Sequence, residues 1–167
     1  MAIVERDFDC EDLHPIDIVE TLAEERSWDF DRIADNQIAM AIEGSWRTYS
    51  VTLAWSAQEE ALRLLCAFEL APPARRLPAI HAAMALANDR CWSGAFVLWR
   101  DQKMMAYRYS LNLAGGAQAS SAQINDMVRT SVIACERFYP AFQLVAWGGE
   151  KPEKALGIAM SEAYGRA

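Results

Sequence analysis

Leu77-Pro78-Ala79-Ile80-His81-Ala82-Ala83-Met84-Ala85-Leu86-Ala87-Asn88 is the stretch that decides the fold, together with two runs beyond Trp92-Ser93-Gly94: first Ala95-Phe96-Val97-Leu98-Trp99-Arg100, then Lys103 to Leu113 with Met104, Met105, Tyr107 and Tyr109. Pro78 stands in a first helical turn, where a missing N–H is tolerated, and Ile80, Ala83, Met84 and Ala87 recur at helical spacing. After Gly94 the residues become strand formers, broken by a turn near Asp101-Gln102. This change of period predicts a helix followed by a β-hairpin, the skeleton of a small α+β domain.

On the amino-terminal side, the spacing of Ile16, Val19, Leu22 and Ala23 predicts a one-sided helix from about Pro15 to Arg26. From Trp28 the period becomes two. Ile38, Met40 and Ile42 mark one strand, which Gly44 ends, and Tyr49, Val51, Leu53 and Trp55 mark a second, with Thr48, Ser50 and Thr52 pointing the other way. Leu62, Leu64, Cys66, Phe68 and Leu70 mark a third, with Arg63 and Glu69 opposite. Close connections make these an antiparallel meander, and Ala71-Pro72-Pro73-Ala74-Arg75-Arg76 breaks the sheet before the second helix. On the carboxy-terminal side, Gly115-Gly116 ends the hairpin, and Ser120 with Gln123 forms a capping box for a long third helix. Ile124, Met127, Val128, Ser131, Cys135, Phe138, Tyr139 and Phe142 form its stripe, and Pro140 is expected to kink or divide it. Gly148-Gly149 closes it, and a short last helix runs from Pro152 to about Tyr164.

The expected fold is therefore α+β, an antiparallel sheet of about five strands in the order α-β-β-β-α-β-β-α. An acidic arm over residues 1–13 precedes a single domain over residues 14–167. In the second hairpin Val97 and Trp99 oppose Phe96 and Leu98, while Met105, Tyr107 and Tyr109 oppose Met104 and Ala106. Strands apolar on both sides need cover on both sides. Trp46, Trp55, Trp92 and Trp99 fall within or beside the strands. Tryptophan offers a large contact area plus one donor, so these four and Tyr107 are the candidate partner or dimer surface.

At 167 residues with 53% hydrophobic content the chain suits one domain with a continuous core. Its apolar runs stop well short of a membrane span. Met1 to Asp12 carries acids where a signal peptide would have a basic flank, so a cytoplasmic location is expected. A net charge of −7 argues against nucleic acid or an anionic membrane as the main partner. Twelve acids against three arginines in residues 1–35 give that segment −9, leaving +2 for the remainder. Such an asymmetry suits a solvated, solubilising segment or an acidic arm that meets a basic face.

No residue set assembles recognisable chemistry, so no catalytic residue, metal or cofactor is expected. Cys10, Cys66, Cys91 and Cys135 lie far apart without a zinc-type spacing, and Cys66 and Cys135 fall on apolar stripes, as small buried hydrophobes do. His14 precedes Pro15 at a helix start, and His81 lies beside an apolar stripe. Gly115-Gly116 before Ser120 has neither a Walker lysine nor a strand-to-helix glycine pattern. Glu24-Glu25 and Glu59-Glu60 are adjacent pairs, which diverge rather than converge on a substrate.

Together with the element order, Ala87-Asn88-Asp89-Arg90, Gly94-Ala95-Phe96, the Arg108 strand, Cys135-Glu136-Arg137-Phe138-Tyr139-Pro140-Ala141-Phe142, Trp147-Gly148-Gly149 and Ala163-Tyr164-Gly165 give a chain that resembles the YbjN family of bacterial proteins from about His14 onward. The resemblance implies a fold similar to the chaperones of type III secretion, small acidic proteins that usually pair as homodimers and hold a client segment in extended form. Some family members are labelled sensory transduction regulators. The resemblance brings no catalytic residues.

The expected function is a non-enzymatic interaction module, adaptor-like or regulatory. It would be homodimeric and would bind a still unidentified protein client on an apolar sheet or helix surface. The alternative is a small-molecule sensor with an aromatic and methionine-lined pocket and a polar group such as Arg100 or Arg108.

Overall fold

The computed structural model describes residues 13–164, with side chains up to residue 161, so most of the expected acidic arm lies outside the described residues. Helix α1 (Pro15–Glu25) opens with Pro15 in its first turn and His14 as its cap, the Nδ1 atom accepting the Ile16 N–H at 3.2 Å. Six strands make up the sheet, β1 (Asp29–Ala34), β2 (Gln37–Glu43), β3 (Thr48–Ser56), β4 (Ala61–Glu69), β5 (Gly94–Trp99) and β6 (Met104–Asn112). Between β4 and β5 run a single 3-10 turn and helix α2 (Leu77–Asn88). After β6 come α3 (Ser121–Ala146) and α4 (Pro152–Tyr164).

The sheet has one strand more than expected. Strand β1 escapes a hydrophobic reading because Asp29, Asp31 and Arg32 interrupt it, and only Phe30 among its large apolar residues packs against the core. It is an edge strand, where charged side chains discourage pairing with other chains. Arg32 ties it to α1: its guanidinium reaches Asp17 at 3.0 Å and Glu20 at 2.7 Å.

All neighbouring strands pair antiparallel, in the order β1-β2-β3-β4-β6-β5. One row of the register reads Met40, Val51, Cys66, Tyr107, Phe96 across five strands. All five belong to the buried core, as does the next row, Ile42, Tyr49, Phe68, Met105 and the packed Leu98. The helices supply the other half of that core, chiefly Ile16 and Val19 from α1, Ile80 and Ala83 from α2, and Met127, Phe138 and Phe142 from α3. Each such large side chain removed from water contributes on the order of 2 kcal/mol.

The capping box on α3 forms as the sequence predicts, Ser120 and Gln123 bonding to one another's backbone N–H groups at 3.1 and 2.9 Å. Pro140 does not divide α3, which runs as one helix of 26 residues. Phe138, Ala141, Phe142 and Val145 are all buried around the proline, and this packing offsets the loss of one helical hydrogen bond. Arg76 fastens the start of α2 to the end of α3 by donating to the carbonyls of Val145 and Glu150, both at 2.8 Å.

Candidate functional site on the open face of the sheet

Because side chains alternate across a strand, every core residue in the register leaves a neighbour on the opposite face. That face presents Ala39 from β2, Thr52 and Ala54 from β3, Leu65 and Ala67 from β4, Ala106 and Arg108 from β6, and Ala95, Val97 and Trp99 from β5. None of these residues belongs to the core cluster or packs against it. The described helices cover one side of the sheet only. The second hairpin is thus two-sided as its sequence suggests, with Phe96, Leu98, Met105 and Tyr107 under helices and Val97, Trp99, Met104 and Ala106 on the other side. Small side chains at Ala67 and Ala106 let their neighbours close over them, so both are buried although none of the described helices stands above that face.

A hollow of about 710 Å³ occupies the middle of this face, floored by Leu65, Ala54 and Ala95 and rimmed by Gln37, Arg63 and Arg108. Arg63 is ion-paired with Glu59 on its own strand approach, whereas Arg108 is exposed and stands directly beside Leu65 and Ala95 in the register. A second hollow of about 850 Å³ lies at the end of β5, between the 100–103 turn and the chain leaving β4, with Trp99, Arg100 and Lys103 in its wall.

The five residues singled out as a partner surface do not share one face. Trp99 lies on the open face. Trp55 packs against the core from the helix side, its ring centroid 6.3 Å from that of His14. Tyr107 is 1% exposed and stacks edge-on against Phe96, so it is a core residue. Trp46 is 47% exposed in the β2–β3 turn, and Trp92 is 99% exposed between α2 and β5. Of the two arginines considered for a pocket, Arg108 lines the sheet hollow and Arg100 the other. The aromatic and methionine lining expected of a pocket is not what the sheet hollow has; among the described residues Tyr109 is its sole aromatic neighbour. Leu65 and Ala67, which sequence reading passed over, interrupt the Arg63–Glu69 polar face of β4 and were its visible signal.

Asn88 closes the β5 edge of the sheet. Its side chain accepts the Phe96 N–H at 2.6 Å and donates to the Phe96 carbonyl at 3.1 Å, standing in for a neighbouring strand. Both residues lie in the segments that carry the family resemblance. The YbjN family model, described as "Putative bacterial sensory transduction regulator", matches residues 15–144. The chain belongs to the YbjN family. Among solved structures the fold is similar to that of YbjN from E. coli, with a TM-score of 0.51 and 11% identity over 71% of this chain and 85% of that one. The HopA1–SchA chaperone–effector complex aligns with a TM-score of 0.49 and 13% identity over 71% of this chain and 86% of that one. At these identities the likeness concerns the fold. No curated protein sequence matches the chain. Among the described residues of this YbjN-family protein, no helix is long and apolar enough to cross a membrane.

Proposed function

We propose that this YbjN-family protein is a non-catalytic interaction module of the cytoplasm. It pairs as a homodimer and holds a segment of a protein client against the open face of its sheet. The observation that carries this reading is the apolar surface of the half-buried Leu65, Val97 and Trp99, which none of the described helices covers. Apolar surface of this kind gains free energy in proportion to the area removed from water, so a partner that covers it binds. Asn88 occupies the Phe96 N–H and carbonyl on the β5 edge, which supports docking on the face over docking on that edge.

The experiment is sedimentation at micromolar concentration and affinity capture with mass spectrometry, each on wild type, Trp99→Asp and Leu65→Asp. The expected result is a dimer and a captured partner in wild type and loss of one or both in the variants, with melting unchanged. A monomeric wild type whose captured partners are the same in both variants overturns the reading.

The hollow with Arg63 and Arg108 at its rim supports a second reading, a sensor for a small acidic molecule. It predicts a rise in melting temperature with one metabolite class, abolished by Arg108→Ala, because a ligand that binds only the native state stabilises it.

A further inference from the structure

Helix α3 carries a second surface, on the side away from the open face. Arg129, Ile133 and Arg137 are spaced four residues apart, so they lie on one stripe, and all three are exposed. Opposite them runs the loop from α2 to β5, which brings Arg90 and the fully exposed Trp92. The groove between has a volume of about 220 Å³ and a floor that includes Tyr107 and Phe138. It continues past Arg129 and Ile133 into a second hollow of about 200 Å³, where Arg26 and Trp28 stand.

Among the described residues no acidic side chain lines either hollow. Glu25, Asp29, Asp89 and Asp126 are close in sequence and take no part in the walls, while Glu136 is turned to the β2–β3 turn, where it bonds Ser45, Trp46 and Tyr49. Among the described residues Arg129 and Arg137 make no hydrogen bond or ion pair, whereas Arg32, Arg63 and Lys154 are each paired with acids. In a chain of net charge −7 this is a local concentration of unpaired positive charge beside exposed Ile133 and Trp92.

We propose that this groove is a docking site for an acidic segment of a partner protein in which two carboxylates flank an apolar side chain. The spacing selects that pattern. Helix residues four apart are separated by about 6 Å along the axis, close to the roughly 7 Å between alternate residues of an extended peptide. Carboxylates at the first and fifth positions of such a segment meet Arg129 and Arg137, and an apolar residue at the third meets Ile133. Guanidinium groups pair with carboxylates bidentately, and the Trp92 ring supplies the wide, rigid contact found at binding hot spots. A single phosphate is too small for the site, because Arg129 and Arg137 are about 12 Å apart along the helix. Nucleic acid is disfavoured by the charge of the whole chain. This surface is separate from the open sheet face and does not depend on it.

The test uses the full chain and a fluorescein-labelled peptide built on Glu-Ser-Leu-Ser-Glu, followed by anisotropy, with a matched peptide bearing lysines in place of the glutamates. Inorganic phosphate, a single-stranded oligonucleotide and added salt serve as competitors. The acidic peptide is expected to bind and the basic one not. Arg129→Glu combined with Arg137→Glu is expected to weaken binding about tenfold or more, as is about 0.5 M salt. Trp92→Ala, at a fully exposed position, weakens it without touching the charge or the fold. Undiminished binding in both variants overturns the proposal, and so does displacement of the peptide by phosphate or oligonucleotide at matching concentration. If the double variant instead abolishes self-association of the free chain, the occupant is a second copy and the proposal of a foreign acidic segment fails.

Discussion

The Tyr49 hydroxyl donates to Glu136 Oε1 at 2.6 Å, joining β3 to α3 across 87 residues of sequence. The same carboxylate accepts the backbone N–H groups of Ser45 and Trp46 at 2.9 and 3.3 Å. One side chain from the long helix therefore holds the whole β2–β3 turn. Gly44 is part of the arrangement, since a Cβ there would run into the Glu136 carboxylate and the Tyr49 ring.

Glu136→Ala removes three acceptor contacts at once and leaves a buried phenol without its partner. A loss of about 2–3 kcal/mol in urea denaturation is expected. Gly44→Ala is expected to destabilise by a comparable amount through the clash, and the pair of changes to cost less than the sum of the two, since truncating Glu136 removes most of what the new methyl meets. Strict additivity would show that the crowding at Gly44 does not come from this carboxylate.

Two tyrosines make stability fall at alkaline pH. Burial first, and then the hydrogen bond and charge of Glu136, push the Tyr49 phenol well above its ordinary range, and burial pushes Tyr107 up to about 12. In the unfolded chain both ionise near 10, at about the usual phenol value. Above that pH the folded state keeps protons that the unfolded state has released, so this stability is complete below about pH 10 and drains away as pH rises toward 12. Urea midpoints at about pH 8 and about pH 11 are expected to differ, and Tyr107→Phe to lessen the difference. A wild-type profile that stays flat across this interval contradicts the assignment.

How much of this was legible in the sequence depends on the range of the interaction. Helix α2, the β5–β6 hairpin and the Ser120–Gln123 box are set by residues a few positions apart, and the periods of two and 3.6 displayed them directly. Strand β1 was hidden because its charges serve the edge of the sheet and the Arg32 pairing with α1, which needs Asp17 and Glu20 from another element. Pro140 suggested a broken helix, since local rules count the lost N–H but not Phe138, Phe142 and Val145 packing around it. The candidate surface was read in part. The alternation of Val97 and Trp99 against Phe96 and Leu98 exposed a two-sided hairpin, yet a tryptophan's type does not say which side of a strand it takes. Trp55 and Tyr107 went to the core while Trp99 did not, and only the register with β4 and β6 decides that.

Asn88 offers a test of edge protection. Asn88→Ala loses both bonds to Phe96 and exposes an N–H and a carbonyl in the middle of an edge strand. The expected cost is about 1–3 kcal/mol, with aggregation rising with protein concentration as bare edges pair between molecules. Asn88→Asp should be at least as severe, since a carboxylate keeps the acceptor for the Phe96 N–H but turns a lone pair toward the Phe96 carbonyl. If both variants melt and scatter light like wild type, the side chain is not what closes this edge.

The sharpest expectation concerns alternation along β5. Phe96 is 2% exposed and meets Tyr107, Phe138 and Phe142 edge-on with ring centroids 5.1 to 5.7 Å apart, so Phe96→Ala leaves a cavity and should cost about 3–5 kcal/mol. Its neighbour Val97 points the other way, beside Ala106 on the uncovered face. Val97→Thr keeps the β-branched shape that a strand favours and adds a hydroxyl where water or a partner stands, so it should change the stability of the isolated chain by less than about 1 kcal/mol. Any effect of Val97→Thr should appear instead in self-association or client capture. Equal destabilisation at the two positions, measured on dilute monomer, would mean that both sides of the hairpin are packed within a single chain.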